Sequence, residues 1–83
     1  MPELFVTQDI WLGGLFLAET NAELVDVQCN RNGRLTINFS FQGENLSRLA
    51  KDYCDNQAIA NVTDLRDKLN KLRDLIFQAK YNN

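Results

Sequence analysis

Arg66, Arg73 and Lys80 recur at seven-residue intervals near the end of the chain, which places them about 10 Å apart along one flank of a helix. A row of cations at that spacing can receive phosphates or carboxylates. Arg31 and Arg34 sit at the tip of a predicted hairpin and can extend the basic surface, since two-stranded ribbons do enter DNA grooves. Two features work against nucleic acid as the default partner. Asp64, Asp67 and Asp74 share the helix with the cations, and the sequence pI of about 4.9 is far from the basic balance of nucleic-acid-binding domains. The plainer expectation for the row is that its aliphatic stems cover the edge of an apolar stripe while the charged heads stay in water.

Other chemistries find little support. The chain has two Cys and no His, so there is no imidazole to titrate near neutrality, no Ser/His or Cys/His pair, and no ligand spacing for zinc. Cys29 and Cys54 fall on apolar faces of their predicted elements and are expected to be buried thiols. No two acids share an apolar setting that would shift a pKa, and Gly13-Gly14 lies inside a helix rather than in a phosphate loop. We therefore expect a non-enzyme that uses no cofactor and no metal.

Net charge is −2, unevenly placed: residues 1–30 carry five acids (Glu3, Asp9, Glu19, Glu23, Asp26) and no base, while the rest of the chain carries nine bases and six acids. An acidic face and a basic face for oppositely charged partners are one consequence of such a split. The 83 residues, 45% of them hydrophobic, suffice for one modest core and are too apolar for a disordered chain. The longest apolar stretch, residues 10–18, is about half of what a bilayer span needs. A soluble, unexported, cytoplasmic protein is expected.

The elements that must position these residues read as follows. Residues 23–42 form a hairpin: Val25, Val27 and Cys29 alternate with polar residues on one arm, and Leu35, Ile37, Phe39 and Phe41 on the other. A two-residue turn at Asn32-Gly33 would oppose apolar to polar positions. A three-residue loop, Arg31-Asn32-Gly33, instead pairs Cys29 with Leu35, Val27 with Ile37 and Val25 with Phe39, with Gly33 at positive φ. Asp26, Gln28, Thr36, Asn38, Ser40 and Gln42 then line an outer face, suited to water, another strand or a partner surface.

Leu4, Phe5 and Val6 can add an edge strand behind Pro2. Thr7 is expected to cap a helix over 8–19 whose apolar residues wrap most of its circumference, so that little of it faces water. Gly13-Gly14 at its middle costs roughly 1 kcal/mol per glycine relative to alanine, which implies a ring or backbone passing close by. Leu46, Leu49, Ala50, Tyr53 and Cys54 make one stripe on a second helix. A third, capped by Asn61 or Thr63 and running to about residue 80, carries Val62, Leu65, Leu69, Leu72, Ile76 and Ala79 at alternating spacings of three and four, the a/d seam of a coiled coil. At about two and a half heptads the seam is expected to pack on the domain's own core, with a homodimer through this C-terminal helix as the other use of it.

The sum is a single α+β domain in the order β-α-β-β-α-α: a hairpin, widened to a three-stranded antiparallel sheet if residues 4–6 join it, packed on one face by three helices. Its expected role is protein binding by occupying a surface, as a small adaptor or inhibitor; nucleic-acid binding through Arg66, Arg73, Lys80, Arg31 and Arg34 is the alternative.

Thr7-Gln8-Asp9-Ile10 with the apolar, small-residue helix through Ala18, the aromatic strand Phe39-Ser40-Phe41, and Leu72-Arg73-Asp74-Leu75-Ile76 give the chain a resemblance to a family of short prokaryotic proteins. Some members are carried by phages and other mobile elements, and the family is catalogued only as a domain of unknown function. The resemblance covers most of the length, although family members usually show an alanine-rich first helix where this chain has Trp11 and Gly13-Gly14. It implies no site residues, and it implies a small phage-type or regulatory protein.

Overall fold

The computed structural model describes residues 2–30 and 33–81. Its elements are β1 (Glu3–Thr7), α1 (Ile10–Glu19), β2 (Glu23–Asn30), β3 (Thr36–Gly43), α2 (Leu46–Cys54) and α3 (Val62–Tyr81). The strands form one antiparallel sheet in the order β1-β3-β2. Over one face of it lie the helices in the order α2-α1-α3, with α2 beside β1, α3 beside β2 and α1 between its two neighbours. That position explains why α1 is apolar almost all round: sheet, α2 and α3 each take a side.

Alternation of side chains set the faces of the hairpin correctly at Val27, Cys29, Ile37, Phe39 and Phe41, but not at Val25 or Leu35, and not its register. Cys29 stands opposite Ile37, Val27 opposite Phe39 and Asn30 opposite Thr36, two residues off the expected pairing. A two-residue slip leaves every side chain on its own face, so period-two patterning cannot distinguish the registers. The connection between the strands is correspondingly longer than three residues and takes in Leu35, which is exposed. Gly33 has φ +80° as expected; Arg31 and Asn32 lie outside the described residues. A bulge between Leu24 and Asp26 turns Val25 out to solvent and sets Leu24 opposite Phe41 in its place, because the extra residue reverses the alternation of the strand beyond it.

Asp9, not Thr7, caps α1. β1 continues through Thr7, which pairs with Phe39, so the helix cannot begin until the chain has left the sheet. The Asp9 Oδ1 accepts from the Trp11 N–H at 2.9 Å and the Leu12 N–H at 3.3 Å, while Thr7 Oγ1 accepts from the Asp9 N–H at 3.0 Å. The second Asp9 oxygen accepts from the Tyr53 hydroxyl at 2.8 Å, tying α2 to the start of α1. That hydrogen bond to a carboxylate is the main reason the Tyr53 phenol is held above its usual pKa.

α1 runs unbroken through Gly13-Gly14, and both glycines are sites of close approach. A Cβ built on Gly13 would stand 2.9 Å from Cζ of Phe41 and 3.2 Å from Leu72 Cδ1, and one on Gly14 would stand 3.0 Å from Leu69 Cδ2 and 3.1 Å from Leu65 Cδ1. Phe41 is fully buried and its ring meets Phe16 edge-on, 5.3 Å between centroids, so it has nowhere to move. Gly13→Ala is accordingly expected to destabilise by about 1–2 kcal/mol, overpacking exceeding the gain in helix propensity. Phe41→Leu in that background should recover part of the loss. Urea denaturation of the four proteins of this cycle checks it, and strictly additive effects would show that the two sites do not press on one another.

α2 ends in a Schellman turn, with the Gln57 N–H bonded to Asp52 O at 2.7 Å, the Asn56 N–H to Tyr53 O at 3.2 Å, and Asn56 in the left-handed region. Cys54, expected to be buried, is exposed, because it is the last helical residue and the chain is already peeling away from the core. Cys29 is half-buried, and both thiols are free.

At its other end α2 begins from Asn45, which is left-handed and makes no side-chain cap. Glu3 of β1 supplies the cap from 44 residues away: its Oε1 accepts from the Ser47 N–H at 3.3 Å and its Oε2 from the Ser47 hydroxyl. These bonds, the hydroxyl's first, hold the Glu3 carboxyl below its ordinary value of 4.5. A carboxyl whose folded pKa is depressed stabilises the fold above its unfolded pKa, and that contribution disappears as pH falls through the folded value. Glu3→Gln should therefore be less stable than wild type at pH 7 and indistinguishable from it well below pH 4.5. Urea midpoints across an acid pH series check this, and a difference independent of pH would detach Glu3 from α2.

Asn61 caps α3, its Oδ1 accepting from the Asp64 N–H at 3.1 Å. The seam packs within the chain: Leu69 and Leu72 are buried and Leu65, Ile76 and Ala79 half-buried, with α1 as the facing helix. Val62 departs from this pattern at 79% exposure. Val62 is the first residue of α3, one turn before Leu65, the first seam residue that meets α1 at Gly14.

Candidate functional site

Beside the line where α1 packs on α3, a groove of about 250 Å³ opens, lined by Trp11, Val62, Leu65 and Leu69 with Arg66, Asn70 and Arg73. Its floor is the outer edge of the core, where Leu69 meets α1 at Gly14. Trp11 stands on the first turn of α1, its backbone N–H capped by Asp9, and half of its surface remains in water.

The groove continues along α3 as a single flank. At roughly 100° per residue, Arg66, Arg73, Phe77 and Lys80 fall within one arc beside the seam, and all are exposed. Phe77 and Tyr81 lie side by side with ring centroids 4.6 Å apart and planes tilted by 38°. Asp64, Asp67 and Asp74 project from other arcs, so the acids that share the helix with the cations do not share their surface.

The five sequence-predicted cations therefore do not form one patch. Arg66 and Arg73 meet at the groove, and Lys80 follows one heptad later on the same flank. Arg34 lines a separate depression with Gln8, Ile10 and Ile76, and Arg31 lies outside the described residues. The outer face of the sheet is uncovered as expected, but β1 adds exposed Leu4 and Val6 to it opposite Gln42 and Ser40. A third depression, between the end of α1 and the start of α2, is polar and open, with Glu19, Glu44, Arg48 and Asp52 around it.

Sequence reasoning missed Trp11, assigning it to a helix with little exposure. The available signal was weak. An all-round apolar helix marks no outward arc, and Glu19, its one charged residue, sits two turns away.

Among the described residues, no three His, Cys, Asp or Glu side chains gather as a metal-binding set, and no helix is long and apolar enough to cross a membrane. No family model, curated protein or solved structure matches the chain.

Proposed function

We propose that this protein is a non-enzymatic protein-binding module, a small adaptor or inhibitor that works in the cytoplasm by occupying a partner's surface through the α1–α3 groove. The observation that carries this reading is Trp11, half-exposed over an apolar floor with Arg66 and Arg73 at the rim. Tryptophan and arginine dominate the energetics of protein interfaces because each combines a large contact area with a directed polar group. The sequence resemblance adds to this proposal that the protein is of small phage or mobile-element type.

Capture from native-host extract, identified by mass spectrometry, tests it when wild type is compared with Trp11→Ala. Partners retained by wild type and lost from the variant support the reading; an identical set from both would move the site elsewhere. A homodimer through α3 remains a second form of the same idea, with Phe77 and Tyr81 rather than the internal seam as its contact. Sedimentation at increasing concentration tests that form, and a monomer up to high micromolar removes it.

Nucleic-acid binding is the rival, favoured by the exposed Phe77–Tyr81 ring pair beside Arg66, Arg73 and Lys80, since exposed rings in a cationic track can stack bases. A salt series with random DNA and RNA discriminates, because phosphate contacts make affinity fall steeply with salt. No binding at low salt removes the rival.

A further inference from the structure

We infer that the occupant of the α1–α3 groove is an acidic amphipathic helix, laid along α3 with its apolar side chains against Trp11 and Val62 and its carboxylates on Arg66 and Arg73. The inference rests on the protein-binding reading and specifies the partner's chemistry.

Backbone structure excludes one mode of capture. Both walls are α-helices whose internal main-chain groups are already bonded within the helix, so an extended peptide finds no sheet edge to join there, and recognition must run through side chains. An apolar trough between helices suits a helical ligand read at i, i+3 or i+4, and i+7. The lining extends along α3 from Val62 to Arg73, about 16 Å or three turns, which accommodates anchors at that spacing.

Charge selects the sign. Arg66 and Arg73 are the charged residues lining the groove, and the acids of α3 face other arcs. A basic ligand helix would set like charges against the two arginines, whereas glutamates or aspartates flanking the anchors meet them about 10 Å apart. Phe77 and Lys80 continue the same alternation of apolar and cationic groups for a longer ligand.

The test uses the full 83-residue protein and a random 16-residue peptide display library. Selected peptides are synthesised and titrated by fluorescence, for which Trp11, the one tryptophan of the chain, reports from inside the groove. The expected result is selection of acidic peptides with Leu, Ile, Phe or Trp at helical spacing, a blue shift of Trp11 emission on binding, and affinity about tenfold or more weaker for Arg66→Glu/Arg73→Glu. Both arginines are exposed, so this variant should keep its fold, which circular dichroism verifies.

Selected peptides that are neutral or basic, or that bind the charge-reversed protein equally well, overturn the acidic-helix inference and leave the protein-binding reading in place. Failure to select any peptide, with a 16-nucleotide oligothymidine shifting Trp11 emission instead, overturns both.

Discussion

Leu69→Glu is expected to unfold the domain. Leu69 is 5% exposed, seated on α1 where a Gly14 Cβ would lie 3.0 Å from its Cδ2, while Arg66 and Arg73 of the same groove are exposed at its rim. Loss of the leucine alone costs about 2–5 kcal/mol, as in a Leu→Ala change. Desolvating a carboxylate at that floor adds to the cost. Total stability for a chain of this length is roughly 4–12 kcal/mol, so the two together are of the same size as the whole. Far-UV circular dichroism and sedimentation distinguish the outcomes: an unfolded chain is expected, whereas a folded monomer arising from a wild-type dimer would place the seam between two copies.

Phe16→Ala should cost about 3–5 kcal/mol, a large fraction of the same total. Phe16 is 0% exposed and links two edge-on ring contacts, to Phe5 at 5.1 Å and to Phe41 at 5.3 Å, so its removal leaves a cavity between α1 and the sheet that backbone on both sides keeps open. Phe77→Ala is the informative comparison. Its ring lies closer to a neighbour, 4.6 Å from Tyr81, yet Phe77 is 62% exposed, and its loss should cost under about 1 kcal/mol. If urea denaturation gave equal costs for both, ring contact rather than burial would govern stability here.

The contrast between these two rings separates the parts of the molecule that sequence can reveal from those it cannot. Patterns repeating at the period of a helix or strand report which face of an element is buried. Leu46, Leu49 and Ala50 on α2, Leu69 and Leu72 on α3, and Phe39 and Phe41 on β3 could all be read that way, and so could the edge strand and the β-α-β-β-α-α order. Gly13-Gly14 was legible for a related reason, since two poor helix formers within a continuous apolar helix imply that something closely packed compensates for them.

Relations between elements were another matter. The hairpin register moved by two residues because even shifts preserve the faces, and Val25 turned outward because a bulge reverses alternation without any marker at that residue. Glu3 caps α2 across 44 residues, so no local motif at Asn45-Leu46 could have announced it. The candidate site depends on how α1 and α3 pack: their contact at Gly13-Gly14 leaves Trp11 and Val62 in one groove with Arg66 and Arg73. Faces, element types and the cationic row follow from local chain periodicity, which acts over a few residues; register, the remote cap and the groove depend on how separate elements meet, and that is settled by packing the whole chain at once.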